Sequence, residues 1–241
     1  MSGPLVSCIM PTYGRRDYVS QSVRMFLAQD YPYKELLILN DCPGQTLHCD
    51  APGVRVFNTA SRFPSLGEKR NALIEQAHGE FIAVWDDDDI YLPWRLSFSV
   101  AQAYALQTPF YIPAEYWAYW GEKDLHDNQT IQSWVSHPMF LFDKTLWDKA
   151  GRYPPLNLGE DHALADQMSA VLGRDWPRFE LPRFERFYIL RGRSKYHHTS
   201  IAGGVQELDT TPGVFLLEPA SIEDPVLSEV TDELIASRGQ P

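Results

Sequence analysis

Between Phe81 and Asp89 the sequence passes from five apolar residues to four consecutive aspartates. Phe81-Ile82-Ala83-Val84-Trp85 is short and does not alternate, which suits a parallel strand buried on both faces. Asp86, Asp87, Asp88 and Asp89 follow at once, and Pro93 marks the next helix, since proline is tolerated at a first helical position. Four adjacent carboxylates repel one another, and where partly desolvated they must take up protons or find a cation. A hard divalent ion with oxygen ligands resolves this. Along an extended chain Asp86 and Asp88 face one way and Asp87 and Asp89 the other. An Asp-x-Asp pair at the carboxyl end of a buried strand sits where open α/β sheets bind ligands. A solvated acidic loop capping the next helix is the plainer alternative. An EF-hand is excluded, because Ile90 and Tyr91 stand where that loop needs an oxygen ligand and a glycine.

The residues before this stretch alternate in kind. Residues 5–10 read as a first strand, ending in the turn Pro11-Thr12-Tyr13-Gly14. A helix follows from about Asp17, with Val19, Val23, Phe26 and Leu27 on one face. Residues 35–39 read as a second buried strand running into Asn40-Asp41, and residues 54–57 as a short third one. A second helix begins at Gly67 with Leu73 and Ala77 inward. Alternating strands and helices over residues 1–95 predict a mostly parallel sheet with right-handed crossovers and helices on both faces. Thr12, Tyr13, Asp41 and the aspartates then share one edge, a polar cleft on an apolar base. No Gly-x-Gly-x-x-Gly and no phosphate-binding Gly-Lys-Ser/Thr loop occurs, which disfavours Rossmann dehydrogenases and P-loop enzymes. Lys69 and Arg70 at a helix start run against the macrodipole, which points to an anionic partner.

The second half reads as mixed. A helix after Pro93 runs to about Leu106, residues 110–120 form an aromatic strand, and residues 130–135 are its expected hairpin partner. Residues 139–142 and 187–190 read as further strands. Gly159-Glu160-Asp161 opens a helix whose apolar stripe is Leu164, Met168, Val171 and Leu172, with Asp161 on the same side. Asp161 suits both a cap residue and a base aimed into the cleft. The stretch 191–200 is basic and carries His197 and His198, which suit a phosphate-covering loop or plain solvent exposure.

With 241 residues the chain can bury a full core. Its net charge of −11 speaks against a broad nucleic-acid surface. Three cysteines without zinc spacing, no membrane-length apolar run and no signal-peptide pattern lead to the expectation of a cytoplasmic protein. The expected division is residues 1–204 as one domain, with a nucleotide-binding half (1–95) and an acceptor half (96–204), and residues 205–241 as an acidic tail.

The ordered pieces resemble the family 2 glycosyltransferases of the A-type (GT-A) nucleotide-diphospho-sugar transferase fold. They are Val6-Ser7-Cys8-Ile9-Met10-Pro11-Thr12-Tyr13, Leu37-Ile38-Leu39-Asn40-Asp41, Lys69-Arg70-Asn71-Ala72-Leu73, Asp86 to Asp89 with Leu92-Pro93, Glu160-Asp161 and His198-Thr199-Ser200. The resemblance implies an α/β, Rossmann-like sheet continuing into a mixed one. It implies that Pro11, Thr12, Tyr13 and Asp41 line the base site, with Lys69 and Arg70 there or at the phosphates. Asp86 or Asp87 would meet ribose, and Glu160 would join the substrate site. Asp88, with His197 or His198, would hold Mn²⁺ or Mg²⁺ on the diphosphate, and Asp161 would be the catalytic base. The donor expected is a UDP- or GDP-sugar. The acceptor is a hydroxyl on a surface glycan, a small molecule, a protein side chain or a hydroxymethylated DNA base. One base without a second nucleophile predicts inversion. The competing readings are a sugar-phosphate nucleotidyltransferase and a catalytically silent sugar-nucleotide-binding module. Asn40-Asp41 in place of Asp-Asp departs from the family pattern.

Overall fold

Strand β1 (Val6–Thr12) lies near the centre of a seven-stranded sheet, buried along its whole length. The computed structural model describes residues 3–119, 125–129, 136–176, 178–191, 208–219 and 225–238. In chain order they form β1, α1 (Arg16–Leu27), β2 (Lys34–Asn40), β3 (Gln45–His48), β4 (Val54–Asn58), α2 (Leu66–Glu75), β5 (Phe81–Val84) and β6 (Ile90–Tyr91). Then come α3 (Arg95–Ala105), β7 (Phe110–Pro113), β8 (Glu115–Tyr119), β9 (His126–Gln129), β10 (Leu141–Asp143), α4 (Lys144–Lys149) and α5 (Glu160–Leu172). β11 (Arg178–Phe179), β12 (Tyr188–Arg191), β13 (Gly213–Leu216) and α6 (Pro225–Ser237) complete the described elements.

The large sheet has the order β11-β7-β10-β5-β1-β2-β4. β1, β2, β4 and β5 are parallel, and β10 runs antiparallel between β5 and β7. Successive residues of β1 feed opposite cores, as the strand period requires. Cys8 and Met10 pack with Val19, Val23 and Phe26 of α1 and Leu96 of α3. Ile9 packs on the other face with Leu73 of α2, Trp147 of α4 and Leu164 of α5. Both faces are therefore covered, which explains the unalternating apolar runs of β1, β2 and β5.

A smaller sheet has the order β6-β12-β8-β9. β5 belongs to the large sheet and β6 to the small one, so the aspartate run is the link between them. That position fixes the four carboxylates at the carboxyl edge of the parallel strands.

Several expectations change in detail. Residues 110–120 do not form one strand: β7 and β8 lie in different sheets, broken at Ala114, whose N–H donates to Phe179 O at 2.7 Å. β8 pairs antiparallel with β9, which precedes the expected partner, and parallel with β12; residues 130–135 lie outside the described residues. Met139 ends a 3₁₀ turn, and the strand starts at Leu141. Val171 and Leu27, placed on inward stripes, are 48% and 37% exposed, because the adjacent Leu172 and Phe26 take the core-facing position at each helix end. α4 carries no periodic signal at six residues and is set instead by its cap. Asp143 accepts from the N–H of Thr145 and of Leu146.

Candidate active site

The carboxyl ends of β1, β2 and β5 and the start of α2 enclose a cleft of about 470 Å³. Pro11, Thr12 and Tyr13 come to it from β1 and its following turn, Asp41 from the end of β2, Lys69 and Arg70 from α2, and Asp86 and Asp88 from the link after β5. Arg15, Arg62, Phe63, Asn157 and Leu208 complete much of the wall. α2 is held at this edge by a reciprocal cap: Ser65 Oγ accepts from Glu68 N at 3.2 Å and donates to Glu68 Oε2 at 2.7 Å. The helix then presents Lys69 and Arg70 to the cleft within its first turns.

The four aspartates divide. Asp86 and Asp88 line the cleft. Asp87 is buried, accepting from Thr12 Oγ1 at 2.6 Å. Asp89 is buried in the opposite direction, where Oδ2 accepts from Tyr188 O–H at 2.7 Å and Oδ1 from Arg191 N at 3.2 Å. Burial pushes the carboxyls of Asp87 and Asp89 up, and their neighbouring aspartates push the same way. Asp86 is also raised by desolvation, against the pull of Arg70.

The protein supplies its own counter-charges. Arg15 reaches Asp87 Oδ1 and Asp88 Oδ2, each at 2.7 Å. Lys69 pairs with Asp41 Oδ1 and donates to Thr12 O at 2.6 Å, while Asp41 Oδ2 accepts from Phe63 N at 2.9 Å. Arg70 pairs with Glu160 Oε1 and, at 3.2 Å, with Asp86 Oδ1. The anions that meet the basic start of α2 are thus the protein's own carboxylates. Burial lowers Lys69 despite Asp41. Glu160 is buried behind Arg70 and reaches the cleft through it.

Asp161 stands beside Glu160 in the first turn of α5, where a negative charge suits the helix N-terminus. Its Oδ1 accepts from His162 N at 2.8 Å and lies 3.0 Å from His162 Nδ1. Among the described residues Oδ2 accepts no hydrogen bond. Burial raises the Asp161 carboxyl, but His137 and the His162 contacts outweigh it, leaving the group below the usual carboxylate value. His137 is itself held well below the usual imidazole value, by burial and then by Arg70. The His162 N–H that Oδ1 accepts from favours the ionised form. His137 Nε2 lies 2.7 Å from Tyr153 Oη, and the Arg70 guanidinium sits 5.9 Å from the Tyr153 ring.

His197 and His198 lie outside the described residues, as does most of the basic stretch 191–200. Among the described residues no group of three His, Cys, Asp or Glu gathers to hold a metal ion. Arg186 and Arg191 are buried, and Arg183 and Arg186 lie over the Trp117 ring at 4.5 and 4.8 Å. Arg183 is itself exposed, so of these arginines two are withdrawn from the surface. Tyr111, Trp117 and Tyr119 are buried as well. Sequence reasoning passed over Arg15, His137, Tyr153 and Leu208. For Arg15 a signal was available: a basic residue in the turn after the first strand, on the edge that carries the aspartates. Leu208 had none.

The family model described as Glycosyl transferase family 2 matches residues 7–158. The chain is 30% identical over 132 residues to the putative colanic acid biosynthesis glycosyl transferase WcaA of Escherichia coli K12, covering 50% of this chain and 46% of that protein. It is 24% identical over 151 residues to the UDP-Glc:alpha-D-GlcNAc-diphosphoundecaprenol beta-1,3-glucosyltransferase WfgD of Escherichia coli, covering 61% and 56%. The chain thus spans about half the length of these curated relatives. Among solved structures, Staphylococcus aureus TarS 1-349 in complex with UDP superposes with a TM-score of 0.60 at 18% identity, over 79% of this chain and 61% of that one. The mannosyltransferase PcManGT from Pyrobaculum calidifontis, in complex with GDP-Man and Mn²⁺, does so with a TM-score of 0.54 at 15% identity, over 75% and 55%. At these identities the structural matches carry the fold.

Proposed function

The chain belongs to glycosyl transferase family 2, and from that premise we infer that it moves a sugar from a nucleoside diphosphate to an acceptor hydroxyl, with inversion at the anomeric carbon. The observation that carries the reading is the gathering of Thr12, Asp41, Lys69, Arg70, Asp86 and Asp88 around one cleft, with Asp161 beside it in the Arg70–Glu160 neighbourhood. The fold is the mixed α/β sheet of the GT-A type.

A nucleoside diphosphate fits this cleft by its chemistry. Pro11, Thr12, Tyr13 and Asp41 form the nucleoside end, and the Arg62 guanidinium lies 4.5 Å over the Tyr13 ring as a further flat surface. Lys69 and Arg70 exchange part of their carboxylate contacts for phosphate oxygens. Glu160 holds Arg70 for that contact and so acts as a positioning residue.

A divalent Mn²⁺ or Mg²⁺ also fits. Asp86 and Asp88 bring hard oxygen donors to the cleft and would hold such an ion. When bound, such an ion offsets the charge that develops on the departing diphosphate. Arg15 holds Asp88 when no ion does.

Asp161 is the general base. Its ionised carboxyl, anchored through Oδ1 on His162, offers Oδ2 to the proton of an acceptor hydroxyl. The hydroxyl oxygen forms the new bond to the anomeric carbon while the bond to the diphosphate oxygen breaks on the opposite face, which inverts the centre.

The test pairs binding with turnover. Wild type and Asp161→Asn are titrated with UDP-, GDP-, CMP- and dTDP-sugars, with and without Mn²⁺, and release of free nucleotide is followed with water or added hydroxyls as acceptor. One donor class should bind both proteins alike, while release falls by about 10²–10⁴-fold in Asp161→Asn. A wild type that binds none of these donors overturns the reading. Normal release by Asp161→Asn removes the base. Donor binding without release by either protein supports a silent binding module instead.

A further inference from the structure

A segment distant in sequence closes one wall of the cleft. Leu208 lines it, 37% exposed, and the residues after Leu208 are fastened to the ends of β1 and β3. Asp209 N donates to Gly14 O at 2.8 Å, and Gln45 Nε2 donates to Asp209 O at 2.9 Å. Arg16 Nη2 pairs with Asp209 Oδ2 at 2.8 Å, and the Arg16 guanidinium lies 4.3 Å over the Phe215 ring. β13 then pairs in parallel with β3, from Gly213 opposite Gln45 to Leu216 opposite His48, and Leu217 is buried in the core. The approach at the β1–α1 turn is close. Gly14 has φ +62°, and a Cβ there would stand 3.2 Å from Asp209 O and 3.4 Å from Leu208 Cβ. The glycine thus serves both the left-handed turn and the contact with this strap. The span matched by the family ends at residue 158, so the strap is an element that the family match does not cover.

We propose that residues 208–217 form the nucleoside-side wall of the donor cleft and that Leu208 is a specificity-determining contact with the donor's nucleoside. The proposal rests on the donor reading given above. Lys69, Arg70, Asp86 and Asp88 line the cleft from α2 and the aspartate link, and Arg15, which lines it from the turn after β1, is engaged with Asp87 and Asp88. Leu208 enters from the β1–α1 turn, and an aliphatic side chain has no favourable contact to offer a diphosphate. It covers instead the apolar face of a base or ribose, as apolar walls do in small-molecule sites. Its partial exposure leaves area for a ligand to bury. Gln45 is buried and off the cleft wall, yet it ties the strap through two carbonyls, Asp209 O at 2.9 Å and Thr211 O at 3.4 Å. It therefore acts on the ligand only by positioning Leu208.

The full chain tests this with the nucleoside diphosphate that wild type binds best and with inorganic pyrophosphate, both with Mn²⁺. Leu208→Ala should weaken the nucleoside diphosphate about tenfold and leave pyrophosphate unchanged. Gln45→Ala, which removes the two tether hydrogen bonds, should weaken it in the same selective way. In wild type, amide exchange over residues 208–217 should slow when the nucleotide binds. Equal nucleotide affinity in wild type and Leu208→Ala overturns the proposal while leaving the donor reading intact. Equal losses for nucleotide and pyrophosphate also overturn it, since they report a general disturbance of the cleft. A wild type that binds no nucleoside diphosphate removes the donor reading and this proposal together.

Discussion

Arg15 Nη1 lies 2.7 Å from Asp88 Oδ2, so the protein itself neutralises the carboxylate that faces the cleft. The same guanidinium reaches Asp87 Oδ1. Two adjacent acidic side chains at the end of a buried strand are thereby held by one cation from the turn after β1. A divalent ion at Asp88 would share that carboxylate with Arg15.

Removing the guanidinium should expose this dependence. Arg15→Gln leaves Asp87, which is fully enclosed, without its cation. Breaking a buried pair from one side costs about 3 kcal/mol or more. Urea unfolding of the ligand-free protein should show a loss of that order, and Mn²⁺ with a nucleoside diphosphate should restore part of it. Equal stability of Arg15→Gln and wild type would mean that the pair is incidental.

The buried carboxyls should pull stability down as pH rises through the weakly acid range. Burial raises Asp86, Asp87, Asp89 and Glu160 above their ordinary values of 3.8 and 4.5. In the unfolded chain these groups lose their protons near those values, while the folded state keeps them to higher pH, so their share of the unfolding free energy declines with pH there. Asp161, Glu35 and Asp209, which are lowered, and His137, which burial holds neutral, act in the opposite sense. The Asp89 share is read by difference: from about pH 4 to pH 7, without ligand, the unfolding midpoint of Asp89→Asn should fall less, or rise more, than that of wild type. Identical pH dependence in the two proteins would contradict the assignment.

Gly67→Ala should destabilise, against the usual sign. Alanine in a helix is ordinarily favoured over glycine by about 0.5–1 kcal/mol. At Gly67, however, a Cβ would stand 1.9 Å from Pro154 O, a backbone atom. The loop before α5 packs there, with Gly67 N donating to Leu156 O at 3.1 Å and Leu66 N to Asn157 Oδ1 at 2.9 Å. Separating α2 from that loop should cost about 1–3 kcal/mol and weaken donor binding, because Asn157 lines the cleft. Denaturation and a donor titration on one preparation check both effects.

Much of this was legible in the residues, and the reasons differ by region. The buried parallel strands announce themselves because both faces are covered, so Val6–Met10, Leu36–Leu39 and Phe81–Val84 are apolar without alternation. The polar residues following them gather for the same reason, since parallel strands end on one edge. The second half was harder to read. Residues 110–119 change sheets at Ala114, and nothing in an aromatic run tells a bend from a continuous strand. The 208–217 strap was unreadable because its partner, β3, is four residues long and some 165 positions away in sequence. Short strands paired at long range leave no periodic trace. Arg15 was within reach, as a basic residue after the first strand on the edge that carries the aspartates; which of them it would pair with is set by topology.

The most direct test of the central claim is calorimetric titration of UDP and GDP into wild type and Asp88→Asn, each with Mn²⁺ and with EDTA. The account predicts that at least one diphosphate binds wild type about tenfold or more tightly with Mn²⁺, and that Asp88→Asn loses this advantage. Binding equally tight in EDTA, or an Mn²⁺ advantage that survives Asp88→Asn, would contradict it.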